Sequence, residues 1–284
     1  MTLREALVLT RQTLAAATSD EADIESELLL CYVLGISKTK LYSEPGRVLT
    51  PTEIKELQCS VNRRLLREPI DYILGNCDFY GHDFYVDHRV FIPRPETELL
   101  VEKAIDFAHY HNTSQNQFIL ADIGTGSGVI AISLALALPK ARIYATDIAA
   151  SALQAAYINC QRYQVAHQVT LLQGNLLEPL PEPTNVIIAN LPYVKDHEMR
   201  TLTPEIMDFE PTVALAGGKD GLDIICQLLI QVPGKIRPNG CLLLEIGYGQ
   251  DKAVNSLINS CFPQANIKLI PDLSGINRIA KILL

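Results

Sequence analysis

The sequence has no apolar run long enough to cross a bilayer, and Met1-Thr2-Leu3-Arg4-Glu5 does not open a signal peptide. A soluble protein that stays in the cytoplasm is expected. There is no Cys-x-x-Cys pair; seven cysteines, an odd number, are scattered along the chain. That pattern argues against a disulfide framework and against a zinc site, and leaves reduced, mostly buried thiols. His109 and His111 are the only close histidine pair, with no cysteine or third histidine near them, so they read as surface residues at a helix end and no metal is expected. Positive charge is also short. Twenty-four basic residues face 32 acidic ones, a formal net charge of −8, whereas a protein that grips a phosphate backbone needs a field of the opposite sign. Arg63 and Arg64 with Arg67 are the best basic patch, but Glu53, Glu56 and Glu68 share their helical pattern, so a solvated helix face is the expectation. Nucleic acid is therefore disfavoured as the main substrate. No internal repeat or low-complexity stretch is present, and a composition 48% hydrophobic and 20% charged argues against long disorder.

What the chain does have is 284 residues, enough for two domains. Residues 1–75 read as helices forming a small bundle. Leu3, Ala6, Leu7, Thr10 and Leu14 keep the spacing of an amphipathic helix. Ser19-Asp20 starts a second, with Ile24, Leu28, Leu29, Tyr32 and Val33 as its apolar face and Gly35 as its stop. Thr50-Pro51-x-Glu53 caps a third that runs through Ile54, Leu57, Val61 and Leu65. The bundle carries no chemical motif, and both a substrate-docking role and a stabilising one remain open. Residues 76–95 form a hairpin and linker: aromatics alternate around Gly81, then Pro93 and Pro95 bracket Arg94 in a stiff connector. The prolines suit a linker. The bracketed arginine is held as a candidate site residue. Residues 96–284 alternate strands (118–122, 142–146, 168–172, 185–189, 241–245) with helices (96–111, 127–138, 150–163, 220–232), the pattern of a parallel sheet with crossover helices. Two further runs, 267–270 and 278–283, would close it with an antiparallel edge.

The first of these strands leads into Asp122-Ile123-Gly124-Thr125-Gly126-Ser127-Gly128. A dinucleotide fingerprint fails here because its third glycine would fall on Val129, and a phosphate loop fails for want of a lysine. Glycine at every second position after an acid remains. The next strand ends in Asp147, placed about 20 residues on to accept the hydroxyls of a ribose. A nucleoside without phosphates, carrying cationic groups that suit Asp122, fits S-adenosylmethionine. The plainer alternative is a tight turn followed by a surface aspartate. Asn175 follows the third strand, where its amide would meet the adenine edge or simply turn the chain.

The apolar run Val186-Ile187-Ile188-Ala189 then empties into Asn190-Leu191-Pro192-Tyr193. Such a loop lies at the ligand-binding edge of an open α/β sheet. A planar amide-type nitrogen is a poor nucleophile, and two acceptors are needed for its hydrogens as charge builds during methyl transfer. The Asn190 side-chain oxygen and the Leu191 carbonyl would supply them. Pro192 holds Leu191 extended, and the Tyr193 ring offers a stacking face. A strand-ending turn explains the Asn and Pro but not the tyrosine.

Three further stretches make a resemblance specific: Ile92-Pro93-Arg94-Pro95-Glu96-Thr97-Glu98; Asp208-Phe209-Glu210-Pro211 with Ala214-Leu215-x-Gly217-Gly218-x-Asp220-Gly221-Leu222; and Leu244-Glu245-Ile246-Gly247-x-Gly249-Gln250. Over essentially its full length the chain resembles the HemK/PrmC family of protein-(glutamine-N5) methyltransferases. The resemblance implies a class I methyltransferase domain, a Rossmann-like seven-stranded sheet, behind a small N-terminal helical domain. It implies that Gly124, Thr125, Gly126, Ser127, Gly128 and Asp147 bind adenosylmethionine, bordered by Asp122, Asn175 and Asn190. Asn190 and Tyr193 would be catalytic, and with Leu191 and Pro192 would hold the glutamine of the Gly-Gly-Gln loop of class 1 peptide chain release factors. Two positions depart from the family pattern: Leu191 stands where a proline is usual, and Asn175 where an acid is frequent. Asn-Leu-Pro-Tyr also resembles the ribosomal RNA adenine dimethyltransferases, but their helical domain follows the cofactor loop and here it precedes it. Glutamine methylation of a ribosomal protein, N6-adenine methylation of RNA or DNA, and a silent adenosylmethionine-binding scaffold are the competing readings.

Overall fold

Thr50 begins a helix for a local reason: its hydroxyl accepts from the Glu53 N–H (3.2 Å) while Glu53 Oε2 accepts from the Thr50 N–H (2.7 Å). The computed structural model describes residues 1–17, 21–111 and 117–284, and they fall into two compact units. The first unit comprises Met1–Asn76 and Thr203–Phe209. Its helices are Leu3–Ala17, Ala22–Leu34, Lys38–Ser43, Pro51–Leu65 and Ile70–Leu74, with the short helix Pro204–Phe209. Leu3, Ala6 and Leu14 meet Leu29, Leu30, Leu57, Val61 and Ile73 in its core, each large side chain contributing about 1.5–3 kcal/mol on burial. Gly35 ends the second helix in the left-handed region, while the start expected at Ser19-Asp20 lies outside the described residues.

Two expectations for this unit are corrected. The second helix does not bury Ile24, Leu28 and Tyr32, which are exposed; it buries Ala22, Glu25, Ser26, Leu29 and Leu30. The cause is an ion pair. Arg64 is not on a solvated face but buried, its Nε 3.0 Å from both Glu25 oxygens and its Nη1 3.2 Å from Glu205, which Arg67 also contacts. A pair so enclosed specifies how two helices meet, and removing one partner costs about 3–5 kcal/mol. That requirement rotates the helix away from its most apolar face. Arg63 pairs with Glu68.

The second unit comprises Cys77–Leu202 and Glu210–Leu284. A hairpin, β1 (Asn76–Phe79) and β2 (His82–Tyr85), turns through Tyr80 and Gly81, both at positive φ, and its Phe79 and Phe84 are fully buried. The main sheet has β3 (Ile119–Ile123), β4 (Arg142–Asp147), β5 (Val169–Gln173), β6 (Thr184–Ala189), β7 (Ile236–Glu245), β8 (Asn266–Pro271) and β9 (Asn277–Leu283). Their order is β5-β4-β3-β6-β7-β9-β8, parallel except where β9 runs against both β7 and β8. Alternate side chains sort to opposite faces: Val186 and Ile188 join a core with Leu100 and Ile132, while Ile187 and Ala189 join another with Leu228 and Ile258. β7 begins five residues earlier than the apolar run announces, because Arg237-Pro238-Asn239-Gly240 is polar and bulged, the register jumping from Thr184↔Ile236 to Val186↔Cys241.

The register sets the site. Ile123 pairs with both Thr146 and Ala189, so the residue after each of these three, Gly124, Asp147 (the last of β4) and Asn190, stands at the same carboxyl-end edge of the sheet. The order in which strands are added reverses between the parallel neighbours β3 and β6, the switch point at which α/β sheets bind ligands. Among the described residues no helix is long and apolar enough to cross a membrane, and no cluster of three His, Cys, Asp or Glu side chains is placed to hold a metal. All seven cysteines are free thiols.

Candidate active site

A cavity of about 230 Å³ opens at that edge, and its wall includes Gly124, Thr125, Gly126, Ser127, Asp147, Asn175 and the whole of Asn190–Tyr193. The glycine loop is shaped from below. Gly124, Gly126 and Gly128 all take positive φ. The N–H groups of Gly124 and Thr125 both donate to the Thr146 carbonyl (2.9 Å each), and the Gly126 N–H donates to Asp147 Oδ2 (2.9 Å). Gly128 stands off the wall; a Cβ there would press on Ala156 and Ile132 at 3.2 Å, so its glycine serves helix packing.

Asp122 also lies behind the loop rather than on the cavity wall. It is 0% exposed, and its Oδ2 accepts from Thr125 Oγ1 (2.6 Å) and the Ala131 N–H (3.2 Å), while Oδ1 is buried without a partner. Burial pushes its carboxyl up to about 7, with Asp147 adding repulsion. The folded chain therefore holds a proton that an unfolded aspartate releases near pH 4, so this group's stabilisation is present at low pH and is lost as pH rises from about 4 to about 7. Asp122→Asn has no such proton to lose. Thermal unfolding at pH 5 and pH 8 should show the variant gaining on the wild type at the higher pH; a constant gap would mean the carboxyl titrates normally.

Asp147 is raised in the same direction by burial, although its Oδ1 and Oδ2 accept from the Ala149 and Gly126 N–H groups. Asn175 reaches the wall with its Nδ2 on Glu178 Oε1 (3.2 Å). The donor set is that of a nucleoside pocket: a carboxylate, open glycine backbone (a Cβ on Gly126 would touch nothing), and apolar surface from Ile130, Ile148 and Leu176. Among the described residues the wall carries one cation, Arg89, which is engaged by Asp87.

The opposite wall draws Thr97 and Pro211–Leu215 from the first two motif stretches, and the third supports it from behind through Glu245 and Gln250. Asn190 Nδ2 donates to Thr97 Oγ1 (3.0 Å), and Thr97 Oγ1 donates to Glu245 Oε2 (2.7 Å). Ala189 pairs with Leu244, so Asn190 and Glu245 follow adjacent positions of neighbouring strands. Arg94 lies over the Phe91 ring (4.6 Å) and donates to Glu210, a buried carboxylate that also accepts from the Ile92 N–H (3.3 Å). The proline-bracketed arginine thus ties the connector to the Glu210 stretch. Gln250 Nε2 donates to the Gly221 carbonyl (3.1 Å) and the Tyr193 carbonyl (3.4 Å), while its Oε1 accepts from the Gly247 N–H (2.8 Å). Val194 and Ala216 bridge in parallel, laying the 214–221 loop against the chain leaving Tyr193. Tyr193 itself is pushed up to about 12 by burial, with Glu245 nearby, so its ring is a neutral surface. Thr97, Glu210, Glu245 and Gln250 had no role in the sequence-based site, and their only signal was membership of stretches rich in acids and glycines.

Leu191 is 4% exposed and packs in the core, its Cδ2 lying 3.2 Å from where a Cβ on Gly124 would stand. Leu191→Pro should lose about 1–2 kcal/mol of packing, read by chemical denaturation. A turnover unchanged within about threefold is expected on the reading that only the carbonyl of residue 191 acts, since Pro holds its predecessor extended. A collapse of turnover in a stable variant would show that the leucine side chain is used.

The PrmC N-terminal domain family matches residues 5–75 and the methyltransferase small domain family residues 98–235. A release factor glutamine methyltransferase from Moorella thermoacetica is 37% identical, covering 98% of this chain and 97% of its own. One from Koribacter versatilis is 37% identical with coverages of 98% and 97%. Among solved structures, the catalytic domain of hMettl16 with the MAT2A 3′UTR hairpin 6 superposes with TM-score 0.55 at 14% identity, covering 84% of each chain. A methyltransferase from Pyrococcus furiosus gives 0.52 at 17% identity, covering 80% of this chain and 96% of its own. These two share the fold: a class I methyltransferase sheet, here with a helical N-terminal unit. With similarity running from end to end and the motif stretches meeting at Asn190, the chain belongs to the release factor glutamine methyltransferase family.

Proposed function

We propose that this chain methylates the side-chain amide nitrogen of the glutamine in the Gly-Gly-Gln loop of class 1 release factors, with adenosylmethionine as methyl donor. The observation that carries this is the sharing of one cavity by the glycine loop, Asp147 and the Asn190–Tyr193 arm. Adenosylmethionine, when bound, supplies an electrophilic methyl group on a sulfonium sulfur. Gly124–Ser127 backbone and the Asp147 carboxylate are the groups to hold it, with Asn175 and Asn190 at its borders, and Asp122 keeps the loop in shape from behind.

The chain's own work is to make an amide nitrogen attack. That nitrogen has a delocalised lone pair, so it must be fixed in line and its developing positive charge met by acceptors. Asn190 Oδ1 and the Leu191 carbonyl take its two hydrogens. Tyr193, neutral throughout the physiological range, offers a flat apolar face to the carboxamide. The carboxamide nitrogen would take the methyl group of bound adenosylmethionine, the sulfur retaining the bond's electron pair, and the amide hydrogen acidified by methylation would leave to water from between the two acceptors. No strong base is required beforehand. The helical unit serves to dock the protein substrate, and the seven free thiols suit a reducing cytoplasm. Incubation with labelled adenosylmethionine and a release factor, a ribosomal protein or ribosomal RNA tests the reading. Label in the release factor, lost when its loop glutamine becomes alanine, is expected; label in either alternative and not the release factor overturns it.

A further inference from the structure

We propose that Glu245, acting through Thr97, fixes which way round the Asn190 carboxamide sits, and thereby makes the site select a glutamine side chain over a glutamate. The inference rests on the reading of Asn190 as an acceptor for the substrate amide. It follows from counting hydrogens. An ionised carboxylate only accepts, and a threonine hydroxyl has one hydrogen to give. Thr97 gives it to Glu245 Oε2 at 2.7 Å, so only lone pairs of Thr97 Oγ1 remain for Asn190. Nδ2 is then the only end of the carboxamide that can face Thr97, as it does at 3.0 Å, and Oδ1 is left to the cavity. Thr97 is 3% exposed and Glu245 4%, so bulk water cannot stand in for either partner. An acceptor at Oδ1 welcomes the N–H groups of a glutamine and opposes the oxygens of a glutamate, which would leave two acceptors facing each other. The three residues come from a 3-10 turn (Pro95–Thr97), the loop after β6 and the last position of β7, so no local element sets this polarity alone.

The arrangement has a pH consequence. Burial pushes the Glu245 carboxyl up to about 7; Glu96 of the 3-10 turn adds repulsion, while Thr97, Arg278 of β9 and Asn190 favour the carboxylate. The Tyr193 phenol stays neutral beside it. Once protonated, Glu245 is itself a donor. Thr97 is then free to turn its hydrogen toward Asn190, which no longer has a reason to present Oδ1.

The test compares wild type with Thr97→Val, Thr97→Ser and Glu245→Gln, using a release factor as substrate at saturating adenosylmethionine. Thr97→Val should lower kcat roughly 10–100-fold, the scale of a misoriented positioning group, with adenosylmethionine affinity by calorimetry unchanged within about twofold. Thr97→Ser, which restores the hydroxyl, should return kcat to within about threefold of wild type. Titration of cofactor-free enzyme with release factors carrying loop glutamine or glutamate should show a preference for glutamine that shrinks in Thr97→Val. In Glu245→Gln the acid limb of the kcat profile should move or vanish; Asp122 contributes equally to both profiles. Wild-type kcat and glutamine preference in Thr97→Val, equal damage in the valine and serine variants, or an identical acid limb in Glu245→Gln would each overturn the proposal. A wild type that leaves the release factor unlabelled sinks the functional reading itself, whereas a wild type that labels it and a Thr97→Val variant that does so at the same kcat and with the same glutamine preference sink only the inference.

Discussion

Asn190→Ala should reduce methyl transfer by at least 10²–10³-fold, roughly the effect of deleting one acceptor or donor aimed at transition-state charge, while leaving adenosylmethionine affinity within about threefold of wild type. On the proposed assignment the two effects separate because the glycine loop and Asp147 lie at the ends of β3 and β4, whereas Asn190 follows β6. Loss of the side chain removes the part-buried hydrogen bond from Nδ2 to Thr97, for a cost of about 1 kcal/mol, and its contact with Glu245. Thr97 keeps its bond to Glu245, so the buried carboxyl is not orphaned and the variant should fold. Single-turnover kinetics read the first effect and calorimetric titration the second. Cofactor affinity falling in parallel with turnover would place Asn190 in the cofactor site instead.

The cavity wall formed by the glycine loop and Asp147 was legible in the sequence because it is built from local chemistry. A strand must be apolar, the turn after it must be glycine-rich to take positive φ, and an acid must end the next strand; each leaves a mark within a few residues. Parallel register then aligns Gly124, Asp147 and Asn190 without further instruction. The half that orients Asn190 was not legible, for an equally physical reason. Thr97 is 93 residues from Asn190 and 148 from Glu245, and a buried hydrogen bond between such positions imposes no periodicity on either segment. Arg94 shows the same limit: two prolines announced its stiffness, but only the fold could supply Glu210. Where periodicity misled, long-range pairing was again the cause. The second helix turned its most apolar stripe outward because Glu25 had to meet Arg64. Asp122, read as facing a cationic ligand, serves the loop from behind because Thr125 and Ala131 turn its carboxyl inward.

Gly221→Ala should damage both stability and turnover, and for reasons that come from the arm rather than the cofactor loop. Gly221 has φ +77°, a region that costs a side-chain-bearing residue about 1–2 kcal/mol. A Cβ there would stand 2.3 Å from the Tyr193 carbonyl oxygen and 2.6 Å from Gln250 Nε2. Neither neighbour is a free-ended side chain. The first is backbone, and the second is held by Gly247 through its other amide atom. The backbone carrying Tyr193 must therefore shift, and with it the stacking face and the Leu191 carbonyl two residues upstream. Displacement of about 1 Å at a positioning group is enough to cost roughly 10²-fold in turnover. The expected outcome is a lowered melting temperature, turnover reduced by about that factor, and adenosylmethionine affinity nearly unchanged, since the glycine loop and Asp147 are held by their own bonds to Thr146, Gly126 and Ala149. Serine at the same position should behave like alanine, because the obstruction is the Cβ and not its substituent. If Gly221→Ala instead folds normally and turns over at the wild-type rate, the close approach of the two backbones is not what positions the Asn190–Tyr193 arm, and the glycines of that loop serve some other purpose.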